Sequence, residues 1–552
     1  MLLFTAYGCV FCHAQTNPAA TARQLFEQEK WQELIQQLQN VPRTSADLNF
    51  YYGVALAHQQ RWQESRSALT TGSRLAPRDK RFPIELAGIA FKQKRNNDAK
   101  RFLRRALQLD PEDTYANEFL ATIYFLEGNI EAALKYWNHT GKPKLAEVRN
   151  VPPLRIRPVL QDRAFAFAPS SVLTLDEFLA SDARVRSLGI FPSYHFELAA
   201  RPDGNFDIVF RAQERNGFGE GRLGALLRVF GGIFFQEITP EYYNLHGSAI
   251  NLTSLFRWDP DKRRATAAIS APLGGNPKWH YRVGADLRNE NWTVQTSFTG
   301  PSIVLAALNL RRESLDASIS RLIGSRLGWS SGVEFSHRDF RNVLALQALT
   351  PPLLAEGYQL KETTEIDYAL FRSPERRLSI ASSLNSQTAR LWSGAGESSE
   401  KLQASLDTHW YPEAKGDDYE IRWRLRAGKT FGQIPFDELL MLGGERDNDL
   451  WLRAHLGTRH GQKGSAPLGR NYVLSNWDTD RHVFTNGYIT AKLGPFLDVA
   501  KITDASPELG SRKWLFDTGA QAKLRVLGVG IVVYYGKDLR TGNNAFYTTV
   551  SP

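Results

Sequence analysis

Tyr419-Glu420-Ile421-Arg422-Trp423-Arg424-Leu425-Arg426-Ala427-Gly428 is the stretch on which the fold turns. Successive side chains of an extended strand point to opposite faces, so Tyr419, Ile421, Trp423 and Leu425 share one face. Glu420, Arg422, Arg424 and Arg426 share the other. Three arginines on one face would be ruinous in a soluble sandwich core. A membrane-spanning barrel accepts them, because its inner face is wet and its outer face meets lipid. The scheme recurs upstream. Leu402, Ala404, Leu406 and Trp410 oppose Gln403, Ser405, Asp407 and His409, and Tyr281, Val283, Ala285 and Leu287 oppose Arg282, Gly284, Asp286 and Arg288. Ten of the 13 tryptophans lie beyond residue 250, where aromatic girdles of such a barrel would need them. At roughly 20 residues per strand and connection, residues 225–552 hold about sixteen antiparallel strands.

Composition agrees with that reading. No run of eighteen apolar residues offers a transmembrane helix. The mean hydropathy of −0.37 would suit a soluble chain, or a barrel whose strands turn every second residue to water. Lys and Arg outnumber Asp and Glu by 68 to 58, a net charge of +10. The cations are dispersed along strands rather than clustered, which argues against nucleic acid. Outer-membrane lipid and lipopolysaccharide head groups, or an arginine-lined lumen, suit them better. The two cysteines, Cys9 and Cys12, fall in the apolar stretch Met1 to Ala14, which ends in Cys12-His13-Ala14. Residues 1–14 read as a signal peptide without the usual basic start. A lipid anchor at Cys9 is the alternative, poorly approached by Ala6 and Tyr7. Cleavage after Ala14 leaves no thiol, and an oxidising compartment then raises no redox question.

The first third has another period. Gly53, Ala87 and Ala121 lie 34 residues apart, as do Ser65, Ala99 and Ala133, and the bulky Leu69, Leu103 and Trp137 follow the second set. Small residues let paired helices approach and bulky ones fill the gap. Pro77 and Pro111 stop the second helices. This resembles the tetratricopeptide repeat (TPR) over roughly residues 20–138, within an all-α solenoid expected at 20–148. Ala22 to Gln39 reads as a degenerate repeat or a cap. Such an array either spaces the barrel from something else or offers a concave groove to a periplasmic protein or peptide.

Val151-Pro152-Pro153 and Pro158 break the helical pattern, so 149–163 reads as a linker. A small α+β module follows at 164–215 in the order strand, helix, strand, strand. Ala164 to Ala168 alternates as a short strand, and Leu175 to Leu188 has helical spacing. Tyr194–Ala200 and Phe206–Ala212 flank the hairpin turn Pro202-Asp203-Gly204-Asn205. Arg186-Ser187-Leu188-Gly189-Ile190-Phe191-Pro192-Ser193-Tyr194, followed by Gly204 to Glu214, resembles the last POTRA domain before a barrel of the BamA/TamA-like, bacterial surface antigen type. Its first helix is short and poorly marked. A small sheet with a free edge accepts an extended segment by β-augmentation, or else serves as a rigid connector.

Within Phe436 to His455 stand Leu442-Gly443-Gly444 and Leu452-Arg453-Ala454-His455. Phe496-Leu497-Asp498-Val499-Ala500, Phe516-Asp517-Thr518-Gly519 and Val529 to Leu539 come later. In this order they resemble the end of the barrel in the POTRA-bearing outer-membrane assembly and transport superfamily. The resemblance implies that a Leu-Gly-Gly strand end leads into a long loop, whose arginine pairs with an aspartate on a later strand and pins the loop in the lumen. Here the pair is Arg453 and Asp498, supported by Gly443, Gly444, Leu452 and Phe496. Both motifs have lost their glycine, to Ala454 and Ala500, and His455 replaces an aromatic. An Arg–carboxylate contact is charge-assisted and often bidentate. Without the resemblance, Arg453 is one more lumen arginine.

No enzyme, cofactor or metal is expected. Gly328-Trp329-Ser330-Ser331-Gly332 fits a nucleophile elbow, but that motif needs a strand–turn–helix setting, and Leu327 to Phe335 reads as barrel strand. The eleven histidines show no ligand spacing. The expected protein is an outer-membrane barrel with periplasmic TPR and POTRA-like domains. It would handle unfolded or extended polypeptides, by inserting barrel proteins or translocating a substrate. A passive pore or structural protein whose repeats dock a periplasmic partner is the alternative.

Overall fold

The structure is a computed structural model. It describes residues 18–219, 232–233, 236–296, 302–345, 349–393, 397–413, 416–486, 489–504, 509–511, 513–526 and 529–551. The signal-peptide reading and the barrel start near residue 225 fall outside these residues. The chain divides between Lys142 and Pro143 into two compact units.

The first unit is built of antiparallel helix pairs: α1 (Pro18–Glu27), α2 (Trp31–Gln39), α3 (Ala46–His58), α4 (Trp62–Leu75), α5 (Arg81–Lys92), α6 (Asn96–Leu109), α7 (Thr114–Leu126) and α8 (Ile130–Trp137). The small residues do what their spacing demands. Ala87, Ala99, Ala121 and Ala133 are fully buried, with Leu69, Leu103 and Trp137 packed beside them. Ser65 Oγ donates to the Gly53 carbonyl at 2.5 Å across the α3–α4 crossing. A Cβ on Gly53 would stand 2.6 Å from Leu69 Cγ, so only hydrogen fits. The period is also written in helix caps. Ser45 caps α3 by accepting from Leu48 N and Asp113 caps α7 by accepting from Ala116 N. Midway between them, 34 residues from each, Asp79 precedes the α5 cap and accepts from Arg81 N.

The second unit opens with the small module: β1 (Leu145–Val151), α9 (Pro158–Ala164), α10 (Leu175–Ser187), β2 (Ser193–Ala200) and β3 (Phe206–Gln213). Its sheet runs β1-β3-β2, with β1 parallel and β2 antiparallel to the central β3. Two expectations are corrected here. The stretch read as linker supplies the end of β1 and all but the last residue of α9. Pro152 and Pro153 end an edge strand, where a missing N–H costs little, rather than separating domains. Ala164 to Ala168 is not a strand, because β3 already has a partner on each side. Phe165 and Phe167 instead stack at 5.2 Å and fill the core beside Phe196 and Phe210. The order is therefore strand, helix, helix, strand, strand.

The rest is a closed barrel of 18 strand segments among the described residues, three of them only two residues long. Two of these short ones, Thr458–Arg459 and Gln462–Lys463, belong to an inner loop, which leaves sixteen in the wall, in line with the expected number. The final strand Asn544–Ser551 neighbours the early segment Glu237–Ile238 and closes the ring. Tyr419–Gly432 pairs with Glu397–Trp410 and Asn471–Thr485, and its arginines face inward. Arg422 and Arg424 reach Asp407 at 2.9 and 2.8 Å. Outward stand Val283, Leu315, Val333, Leu360, Leu384 and Trp477, all exposed, an apolar belt that only hydrocarbon would cover. Ser330 lies mid-strand in Leu327–Ala345, antiparallel to both neighbours, which removes the elbow.

The module is hydrogen-bonded to the barrel's turns. Arg157 N donates to Gly247 O at 2.8 Å, Asn251 Nδ2 to Leu188 O at 2.9 Å and Ser187 Oγ to Pro277 O at 3.3 Å. From the other end of the sequence, Arg525 donates to Pro192 O at 3.4 Å.

The repeat packing can be tested at two glycines of the first unit. Gly53→Val should lower the stability of the helical unit by about 1–3 kcal/mol through overpacking. Gly88→Ala, in mid-helix with nothing within 4 Å of its added Cβ, should raise it by up to about 1 kcal/mol. Thermal unfolding followed at 222 nm on residues 18–142 reads both, and equal effects would contradict the packing.

Candidate functional site

Strands Tyr419–Gly432 and Asn471–Thr485 pair directly, so the 38 residues between them leave the wall. They fold back against its inner face. Leu440–Met441 and Leu468–Gly469 pair with each other, and a small hairpin, Thr458–Arg459 with Gln462–Lys463, touches Trp292 of the wall.

Arg453 is the best-connected residue of this loop. Its Nε and Nη2 donate to the two oxygens of Asp498 at 2.9 and 2.6 Å, and its backbone N–H adds a third bond at 3.1 Å. Nη1 reaches Asp478 and Gln521, both at 2.7 Å. The Phe496 ring lies 3.8 Å beneath the guanidinium, a stacked cation–π contact. Asp498 is fully buried and takes a further bond from Asn476 Nδ2 at 2.7 Å. The structure thus brings together Arg453, Asp498 and Phe496. Leu452 is buried next to them in an apolar cluster with Leu442, Tyr472, Leu474 and Ala500.

Gly443 and Gly444 serve close approach. A Cβ on Gly444 would fall 1.9 Å from Tyr534 Oη, and one on Gly443 would fall 2.4 Å from Ala466 Cβ. Ala454 and His455 are held locally. Ala454 donates its backbone N–H to Asp517 at 2.6 Å, and His455 Nδ1 lies 3.1 Å from the same carboxylate. Asp517 stands in the quoted Phe516-Asp517-Thr518-Gly519, but nothing in that motif alone announces its partner.

Sequence reasoning missed the rest of the site, which is larger. Asp447 of the loop takes Arg257 at 2.8 Å and Arg264 at 2.7 Å, and Lys463 of the loop reaches Glu290 at 2.7 Å. Farther round, Glu438 faces Lys361 at 3.3 Å and Lys401 at 3.2 Å, and Asp437 lies 3.1 Å from the fully buried Arg338. The wall is polarised. Its cations Arg257, Arg264, Arg312, Arg338, Lys361 and Lys401 line the strands before the loop, with Asp286, Glu290 and Glu334 among them, and its acids Asp478, Asp480, Asp498 and Asp517 line those after it, beside Lys523. The loop answers with Asp437, Glu438, Asp447 and the cation Lys463 on the first side and with Arg453 on the second. The only signal for this in the sequence is the run of charges in Phe436 to His455, and nothing in the run assigns partners.

Comparison with known proteins adds the following. Residues 90–140 match the family described as tetratricopeptide repeat. This stretch is a tetratricopeptide repeat. It spans α6, α7 and α8, so the 34-residue period reflects that repeat's architecture. No curated protein sequence matches the chain. Among solved structures it is similar to BamA from Haemophilus ducreyi lacking POTRA domains 1–3, at 11% identity over 74% of this chain and 84% of that one, TM-score 0.42. It is also similar to CdiB from Escherichia coli (12% identity, 74% and 75%, TM-score 0.45) and CdiB from Acinetobacter baumannii (9% identity, 83% and 86%, TM-score 0.42).

The ion pairs make a quantitative prediction. Arg453→Ala leaves the fully buried Asp498 without its cation, while Asp478 keeps Lys523 at 3.0 Å, and should cost about 2–5 kcal/mol locally, read as faster proteolysis of the loop while the barrel stays folded. The double variant with Asp498→Ala should cost less than the sum of the two single changes. Arg453→Ala with Asp447→Ala should be additive, since these residues share no partner. Additivity in the first cycle would mean that Arg453 and Asp498 do not meet.

Proposed function

We propose that the protein handles polypeptide at the outer membrane, inserting barrel proteins or translocating a substrate, and that it does so without catalysing a reaction. The observation that carries this reading is the lumen. A loop anchored to both charged sides of the wall is a removable stopper, whereas a passive pore needs an open path. The order of the Leu-Gly-Gly, Arg453 and Asp498 motifs supports the same class. The repeats and the module would stand in the periplasm. There the repeat groove receives a client or partner, and the exposed edge of β2 takes up an extended segment by β-augmentation. Arg453 and Asp498 would act as the lock that holds the loop until a client displaces it.

Two measurements test this. Depleting the protein and profiling outer-membrane proteins should show loss of a set of other barrel or surface proteins. An unchanged profile would favour the passive-pore reading. In planar bilayers the wild-type protein should conduct poorly, and Arg453→Ala should raise the open probability. High conductance in the wild type would remove the stopper.

A further inference from the structure

Where the module meets the barrel, three cations border one cavity of about 730 Å³. Arg163 and Arg184 come from α9 and α10, and Lys278 comes from the turn that opens strand Trp279–Gln295. Arg163 Nη1 donates to the carbonyls of Gly274 and Gly275 at 3.3 and 3.0 Å, and Arg184 Nη1 donates to the Arg163 carbonyl at 3.2 Å. These bonds hold the guanidinium groups in place without neutralising them. None of the three cations has an ion-pair partner among the described residues, and Asp162 is the one acid on the cavity lining. Burial holds the Arg184 guanidinium below its usual pKa, the mark of a cation short of a counter-ion.

Beside the cavity the strands turn toward lipid. The Lys278 carbonyl accepts from Leu322 N at 2.9 Å, and the neighbouring Arg321 stands opposite both Trp279 and Trp329 in the strand register. The two indoles meet edge-on at 6.0 Å, and the Arg321 guanidinium lies 4.8 Å from the Trp279 ring. Arg321 shares its strand face with the exposed Leu315 and Ile323, so it and both indoles look outward where the strands end. Outward tryptophans at strand ends mark the membrane–water boundary, and there an outward arginine meets lipid head groups.

We propose that Arg321, Lys278, Arg163 and Arg184 bind the phosphodiester head group of an anionic phospholipid of the phosphatidylglycerol class. The phosphate sits at the cavity mouth, and the acyl chains lie over the outward face near Val283 and Leu315. Three cations on the cavity against Asp162, with Arg321 on the adjoining strand, leave a net positive site that a head group of net charge −1 offsets in part and a zwitterionic one, of net charge zero, does not. The site rests on the membrane-spanning reading of the wall.

The test uses the full chain in nanodiscs of mixed phosphatidylglycerol and phosphatidylcholine, with the retained lipid quantified by mass spectrometry. Phosphatidylglycerol should be enriched, and Arg321→Gln or Lys278→Gln should each lower the enrichment about fivefold. Arg321→Lys should keep most of it. Arg311→Gln, an outward arginine on the same strand already paired with Glu313, should leave it unchanged. Soluble glycerol phosphate should not displace the lipid. Heat-modifiable gel mobility shows that each variant is folded. A folded, inserted wild type without enrichment, enrichment untouched by the Gln variants, or displacement by glycerol phosphate would each overturn the head-group site. Failure of the wild type to insert would instead remove the wall reading, and this site with it.

Discussion

A strand in hydrocarbon can satisfy its backbone amides only on the next strand, so the sheet has to close on itself. Closure dictates the placement of everything else. Most polar side chains then turn inward, and the ring gathers most of its buried cations on its earlier strands and most of its buried carboxylates on its later ones. A lumen polarised in this way is costly to leave half-filled, because each charge is partly desolvated and lacks a counter-charge across the gap. The loop between Gly432 and Asn471 meets that demand with charges of the opposite order, Asp437, Glu438 and Asp447 first and Arg453 after them.

Such pairs contribute more to specificity than to net stability. Apolar residues of equal volume would hold a loop about as well, but they would not fix which part of it meets which strand. Arg453 makes the point. Its fork takes Asp498 in one geometry, its third donor nitrogen is committed to Asp478 and Gln521, and Phe496 holds the guanidinium plane from below. A shift of the loop by one residue would break all of these contacts at once, leaving Asp498 with Asn476 alone among its side-chain donors and Asp478 with Lys523.

How much of this could be read in advance depended on whether the signal was local. The barrel was legible in Tyr419 to Gly428 because alternation along one strand reports two solvents. The helical repeat was legible in Gly53, Ala87 and Ala121 because the constraint, two helices too close for a side chain, recurs. The first strand of the module was not, since Leu145 to Val151 lies at a sheet edge and runs into two prolines that elsewhere mean a break. Phe165 and Phe167 alternate for packing rather than for pairing. The Arg453–Asp498 contact was foreseeable only through motif order. The wall partners of Asp447 and Glu438 lie 37 to 190 residues away on other strands, and no local pattern could name them.

The hydrogen bonds between module and barrel have a mechanical meaning. Arg157 and Leu188 attach the module to the early strands through Gly247 and Asn251, while Pro192 is held by Arg525 near the last ones. The module therefore bridges the join where the first and last strands of the ring meet, like a clasp across a seam. Tilting it would work as a lever on that join, and any widening there would pull on the clasp. Load applied to the module is transmitted to that join without passing through the lumen.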